Sequence, residues 1–185
     1  MPNSRAAPWP ATIRTERLLL RPVEVSDFAA ISRLFTDPQV RKYLGGPVTP
    51  EEAARRARGV VGGTTLFSVV MCPDDVVIGL IVVDPDTDRA SRAGGDTEVS
   101  YQFLPEYWGC GFGRESVAAA VDWAFRNVIP EPLAVVAITQ QANRGSRRLL
   151  AAIGMTQVDR FVEFDAWQVK YRVERSRLRK PNVVT

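Results

Sequence analysis

The sequence predicts a single mixed α/β domain of the α+β kind, with about seven strands and four helices. Runs of β-branched residues of strand length alternate with amphipathic stretches of helical period. Capping residues stand at the helix starts. A chain of 185 residues with 45% hydrophobic content is long enough for one core and shows no second composition block to split off. Residues 1–12 and 176–185 read as flexible tails of a domain that spans 1–185.

Taken in order, Leu18 to Arg21 is a first strand closed by Pro22, and Ser26-Asp27 offers the N-cap of an amphipathic helix through Phe35. Asp37-Pro38 begins a further short helical turn. Thr49 as N-cap, Pro50 at the first helical position and Glu51-Glu52 in the first turn predict a helix to about Gly59. Phe67 to Met71 and Val76 to Asp84 flank the turn signature Pro73-Asp74-Asp75 and form a hairpin, with Gly79 marking a bulge. Asp84 to Gly95 is polar and reads as an exposed loop.

A strand over Thr97 to Leu104 precedes a Gly-rich turn, and a helix then runs to about Asn127 with Val117, Val121, Ala124 and Phe125 on one face. Leu133 to Thr139 is a buried strand. Asn143 to Ile153 is a helix ended by Gly154, and Gln157 to Phe164 with Trp167 to Arg175 make a closing hairpin.

The Gly-rich turn, Tyr107-Trp108-Gly109-Cys110-Gly111-Phe112-Gly113-Arg114-Glu115, points to chemistry. Glycines let a backbone approach an anion closely, and the amides of a helix's first turn lie at the positive end of its dipole. The ligand is expected to carry a pyrophosphate. A nucleoside-triphosphate loop would need Lys-Ser or Lys-Thr after the last glycine, where this chain has Arg114-Glu115. A dinucleotide fold would need GxGxxG and an acidic residue at a following strand end, but the spacing is GxGxG and the next acidic residue after the turn, Asp122, lies within the helix.

Trp108-Gly109-Cys110-Gly111-Phe112-Gly113 resembles the acyl-coenzyme A loop of the GNAT N-acetyltransferase superfamily, a Q/R-x-x-G-x-G/A turn between strand and helix. Trp108 replaces the usual Gln or Arg, a departure shared with the branch related to the RimJ and RimL ribosomal-protein acetyltransferases. Three more segments resemble that branch in the same order: Thr15-Glu16-Arg17-Leu18-Leu19-Leu20-Arg21-Pro22, Glu98-Val99-Ser100-Tyr101, and Asn143-Arg144-Gly145-Ser146 running to Ile153-Gly154-Met155. The likeness covers about residues 12 to 175.

The resemblance implies the GNAT fold, a central, mostly antiparallel seven-stranded sheet flanked by about four helices. It implies transfer of acetyl from acetyl-CoA, as co-substrate, to a primary amine in a ternary complex, with no metal. The preferred acceptor is a protein N-terminal α-amine. A small-molecule amine or antibiotic is the alternative within that class, and a non-catalytic acyl-CoA-binding module is the alternative outside it.

The coenzyme site implied comprises Trp108, Gly109, Cys110, Gly111, Phe112, Gly113 and Arg114 at the pyrophosphate, together with Asn143 and Ser146. Backbone groups near Phe103 and Leu104 are expected to meet the pantetheine arm. Glu98 stands where many GNAT enzymes place a carboxylate base acting through water, and an ordinary solvent-facing strand residue is its other reading. Glu163 falls near the place of a base in RimL-type enzymes. Ser146 is a candidate for protonating the leaving thiolate, though Asn143 and Ser146 also make a good helix start by themselves. Many GNAT enzymes use a tyrosine seven residues after this Asn, and here that position is Leu150.

The chain contains no histidine, so the side chain that ordinarily titrates near neutrality is missing. A lysine amine with pKa about 10.4 is about 0.1% unprotonated near pH 7.5, against about a third for an α-amine at about 7.8, a difference of about 3.5 kcal/mol. The weaker base needs less help. Cys72 and Cys110 supply neither a metal cluster nor a disulfide framework, and Cys110, without a histidine partner, is read as a loop residue that contributes its backbone.

A net charge of +3 with dispersed basic residues argues against a nucleic-acid footprint. No window approaches a membrane span and no leader is apparent, so a cytoplasmic monomer or non-covalent homodimer is expected.

Overall fold

In the computed structural model, which describes residues 9–85, 95–128 and 134–175, eight strands hydrogen-bond into one sheet. The elements are β1 (Ile13–Arg14), β2 (Leu18–Pro22), a 3-10 turn at Val25–Asp27, α1 (Phe28–Thr36), α2 (Pro38–Arg41), α3 (Pro50–Val60), β3 (Leu66–Met71) and β4 (Val76–Pro85). There follow β5 (Thr97–Phe103), a second 3-10 turn at Pro105–Tyr107, α4 (Phe112–Asn127), β6 (Val135–Gln140), α5 (Arg144–Ala152), β7 (Thr156–Glu163) and β8 (Ala166–Val173). The sheet order is β1-β2-β3-β4-β5-β6-β8-β7, and every neighbouring pair is antiparallel except β5 and β6.

The mixed α+β architecture agrees with the sequence, but the strand count is eight rather than seven. The added strand is β1. Two residues cannot display an alternating pattern, and β1 exists through its pairing of Ile13 with Leu20 and Arg14 with Leu19. Just before it, Trp9 stands edge-on to the core ring of Phe67 with centroids 5.1 Å apart, so the inner end of the expected first tail is packed. Residues 1–8, 86–94, 129–133 and 176–185 lie outside the described residues, and with them most of the expected 84–95 loop, Leu133 and the second tail.

Local signals explain most helix starts. Thr49 Oγ1 accepts the Glu52 N–H at 3.3 Å with Pro50 at the first helical position, and Asp37 accepts from the amides of Gln39 and Val40. Asp27 is different. It occupies the N-cap of α1, yet its carboxylate does not cap the helix; it takes a bidentate pair from Arg21 at 2.8 Å, the Glu24 N–H at 2.9 Å and the Ser68 hydroxyl at 2.6 Å. Burial alone would push this carboxyl up, but those hydrogen bonds outweigh it and hold Asp27 below the usual range. The cluster pins the start of α1 to β2 and β3.

Apolar residues pack on both faces of the sheet. Against one face lie α4 and α5, with Val99, Phe103, Val117, Val121, Leu150, Val169 and Tyr171 in one cluster. Against the other lie α1 and α3, where Ile31, Leu34, Ala53 and Ala57 meet Leu80 and Leu104. Alternation along β5 therefore sends Glu98, Ser100 and Gln102 to the α1–α3 face and Val99, Tyr101 and Phe103 to the α4–α5 face.

Among the described residues, no helix is long and apolar enough to cross a membrane.

Candidate active site

The centre of the sheet opens. β5 and β6 pair only at Thr97 with Val135 and Glu98 with Val136, after which they separate. In β4, Val69 pairs with Gly79 and Val70 with Val77, leaving Ile78 as the extra residue of a bulge. The bulge signal at Gly79 is thus correct, and a side chain is excluded there: a Cβ would fall 2.5 Å from the Gln102 carbonyl and from the Phe103 ring.

In an antiparallel ladder the N–H and C=O of one residue point to the same neighbour. The Leu104 N–H donates to Ile78 at 2.9 Å, toward β4, so those of Tyr101 and Phe103 point the other way, into the gap. Leu104, expected among the strand's free groups, is correspondingly committed, since its carbonyl also accepts the Tyr107 N–H at 3.1 Å. The gap offers the backbone of Tyr101 and the N–H of Phe103 instead. Trp108 reaches back to this strand end, its indole N–H donating to the Phe103 carbonyl at 2.8 Å.

Beyond Trp108 the turn is exposed. Gly109 and Gly111 adopt φ of 78° and 83°, conformations that cost most L residues about 1 kcal/mol or more, and Gly111 is the N-cap of α4. The first intrahelical bond to Gly111 comes from the Glu115 N–H at 3.0 Å, so the amides of Phe112, Gly113 and Arg114 point outward without an intrahelical acceptor. At Gly113 a Cβ would lie 2.9 Å from Leu149 Cδ1, so glycine lets α4 approach α5 closely. The Cys110 thiol is exposed and points to the Trp108 carbonyl at 3.6 Å.

The first-strand segment holds this turn. Glu115 Oε1 accepts the Thr15 hydroxyl at 2.6 Å and the Arg17 N–H at 2.9 Å, Oε2 accepts Arg17 Nε at 2.8 Å, and another Arg17 nitrogen donates to the Cys110 carbonyl at 3.1 Å. The same guanidinium lies 4.6 Å from the Phe112 ring centroid. Burial pushes the Glu115 carboxyl up, but the bonds from Thr15 and Arg17 prevail and hold it below its ordinary value. Arg17 thereby neutralises the one acidic side chain in the first turn of α4, leaving the outward amides electropositive. Both segments stand out in the sequence; their meeting does not.

Asn143 caps α5, its Oδ1 accepting the Ser146 N–H at 3.1 Å. The Ser146 hydroxyl lies 2.8 Å from the Tyr101 hydroxyl, which joins β5 to the helix that follows β6. Burial pushes the Tyr101 phenol up to about 12, against a smaller downward pull from the Ser146 hydrogen bond. By alternation Tyr101 shares the apolar face of β5 with Val99 and Phe103. Nothing local in the sequence reveals its partner.

The two carboxylates lie on the opposite side of the sheet. Pairings of Glu98 with Val136, Val136 with Arg172, Gln140 with Gln168, Phe161 with Gln168 and Glu163 with Ala166 put Glu98 and Glu163 on one shared face, away from Ser146. Both are half-buried. They are not neighbours: three strand-to-strand steps of about 4.8 Å, roughly 14 Å, separate β5 from β7, and Glu98 at the level of Arg172 lies about 20 Å along the strands from Glu163 at the level of Ala166. Glu163 sits beside the Phe164-Asp165 turn at the tip of the β7–β8 hairpin. Apart from the gap, a basic cleft of about 380 Å³ between α5 and β8 is lined by Arg144, Arg147, Arg148, Ala151 and Tyr171.

An opened sheet with a glycine-capped helix at its mouth offers unpaired strand backbone and outward helix amides to a long anionic ligand. Residues 17–156 match the family described as the acetyltransferase (GNAT) domain, and the chain belongs to that family. It is 30% identical over 129 residues to the uncharacterized N-acetyltransferase p20 of Bacillus licheniformis, covering 63% of this chain and 67% of the relative. It is 30% identical over 146 residues to the uncharacterized N-acetyltransferase YnaD of Bacillus subtilis strain 168, covering 77% and 81%. Among solved structures, a GNAT-family acetyltransferase from Bacillus anthracis superimposes with a TM-score of 0.77 at 23% identity, covering 89% of this chain and 98% of that one. The protein is a GNAT N-acetyltransferase, and enzymes of this family use acetyl-CoA as co-substrate.

Proposed function

We propose that this enzyme acetylates a protein N-terminal α-amine and belongs to the RimJ/RimL-like branch. The observation that carries the reading is the opening between β5 and β6, with the glycine turn and Ser146 on one face of the sheet and the two carboxylates on the other. Donor and acceptor can then approach from opposite faces and meet at the gap. The fold resembles the ribosomal-protein-S5-alanine acetyltransferase of Vibrio fischeri, with a TM-score of 0.68 at 19% identity, covering 91% of this chain and 99% of that one. The absence of histidine favours an amine that is already partly unprotonated near neutrality.

In this reading Gly109 to Arg114 hold the coenzyme's pyrophosphate on outward amides, with Asn143 alongside, and the backbone of Tyr101 and Phe103 holds the pantetheine amides. Glu98 or Glu163, through water, takes the proton the amine nitrogen loses as it bonds to the thioester carbon. Ser146 passes its hydroxyl hydrogen to the sulfur as the carbon–sulfur bond breaks and the bond's electron pair moves to sulfur, and water, which carries the proton lost by the amine, reprotonates the serine oxygen. Each named group thereby has one task.

A second reading, a polyamine acceptor, is favoured by the two carboxylates on the acceptor face. The spermidine N-acetyltransferase of Vibrio cholerae, solved with CoA and spermine, shares the fold with a TM-score of 0.70 at 18% identity, covering 88% of this chain and 98% of that one. Competition between acceptors decides. A panel of peptides with free N-termini, Nα-blocked lysine peptides and spermidine, assayed with acetyl-CoA, should show kcat/KM at least about tenfold higher for the free N-termini. Preference for spermidine would establish the second reading, and CoA binding with no turnover on any amine would make the chain a binding module.

A further inference from the structure

We propose that Tyr101 is a positioning residue for the transfer step: its phenol donates to Ser146 Oγ and so directs the serine's own hydrogen into the gap, toward the sulfur. The inference rests on the reading of Ser146 as donor to the leaving thiolate.

Two hydroxyls 2.8 Å apart share one hydrogen bond, and either could supply the hydrogen. Their surroundings decide. Tyr101 comes from the apolar side of β5, its ring tilted against Phe103 at 6.0 Å, and among the described residues Ser146 Oγ is the partner of its hydroxyl. If Ser146 donated, the phenolic hydrogen would have no acceptor among the described residues, a loss that largely buried polar groups avoid. With Tyr101 donating, nothing is orphaned. Ser146 is partly accessible, so its hydrogen can turn to the gap.

Acidity agrees. A phenol is a stronger acid than an aliphatic alcohol and hence the better donor, and burial, which pushes Tyr101 up to about 12, keeps that hydrogen in place at any pH where the enzyme works. Tyr101 therefore loses no proton during the reaction. A hydroxyl that accepts one hydrogen bond becomes a stronger donor in the next, which is the property a group facing a developing thiolate needs.

The hold on Ser146 is two-sided. Asn143 Oδ1 fixes its backbone at 3.1 Å while Tyr101 fixes its side chain, so α5 and β5 together determine where the serine points. The next residue on that helix face, Leu150, is fully buried and apolar, so α5 itself brings no second hydroxyl there. Tyr101 reaches across from the other wall of the gap to supply it.

The test compares Tyr101→Phe, Ser146→Ala and the double variant against the best acceptor. Phenylalanine keeps the ring and its packing, so the melting temperature should fall by no more than about 4 °C and the CoA dissociation constant should stay within about twofold of the parent, while kcat falls about tenfold with KM for acetyl-CoA unchanged. Because Tyr101 acts through Ser146, the double variant should be no slower than Ser146→Ala alone, within about twofold. Losses in the single variants that multiply in the double variant would overturn the proposal, as would wild-type kcat in Tyr101→Phe beside a slow Ser146→Ala, which leaves the serine's role standing. Wild-type kcat in Ser146→Ala would remove both.

Discussion

Arg17 holds Glu115 through its backbone N–H at 2.9 Å and its guanidinium at 2.7 Å, across 98 residues of sequence. This pair ties the entrance of β2 to the first turn of α4. Glu115→Gln should loosen the glycine turn and weaken CoA binding about fivefold; the guanidinium is partly exposed, which limits the cost to about 1 kcal/mol. The carboxyl is held below its ordinary value of 4.5, so its contribution is complete above that pH and is lost as the pH falls through the lower folded-state value. Calorimetric titration of both proteins with CoA checks this, and equal affinities would refute it.

Gly111→Asp acts on the same turn by another route. The substitution places an L residue at φ +83° with its Cβ 3.3 Å from the Arg17 guanidinium, and sets a negative charge beside the anion site. CoA affinity should fall by about 100-fold or more with little loss of secondary structure by circular dichroism. Unchanged affinity would mean that the pyrophosphate lies elsewhere.

Glu98 and Glu163 share a face but lie on strands two removed from adjacency, so only one can serve a given nitrogen. The Gln variant of the true base should reduce kcat by about 10²-fold with CoA binding intact, and the other should stay near wild type. Equal, small effects in both would assign proton removal to bulk water.

Asp27→Asn tests the buried cluster under α1. Removing the charge leaves Arg21 without its bidentate partner, at a cost of about 3 kcal/mol, which in a chain of this size lowers the melting temperature by about 6–12 °C. Because Asp27 is held below 3.8, the wild-type advantage should be full above that pH and shrink on acidification, so the two melting curves converge in acid. Turnover at low temperature should be unaffected.

What the sequence disclosed was local. The Thr49-Pro50 helix start, the Asn143 cap, the glycines of the turn and the bulge at Gly79 each depend on residues within a few positions, and each lies where expected. What it withheld needs distant partners. β1 exists by pairing, Asp27 abandons its cap for Arg21 and Ser68, Leu104 gives its N–H to Ile78, and Glu115 and Tyr101 find partners 98 and 45 residues away. The motifs announced which residues to watch, and the third dimension decided what they touch.

The two borders of the sheet differ, with a bearing on how the protein behaves when crowded. β1 offers two residues, too few to template anything, whereas β7 presents eight, with Val158 and Val162 each more than half exposed. A long border invites a stray strand to zip on. Here the invitation is curtailed: an irregularity between Gln157 and Asp159 breaks the register, and the remaining run carries Asp159, Arg160 and Glu163, with Arg160 lying 3.9 Å over the exposed Trp167 ring. The border most exposed to accretion is thus interrupted and charged, so crowding finds no smooth template along it.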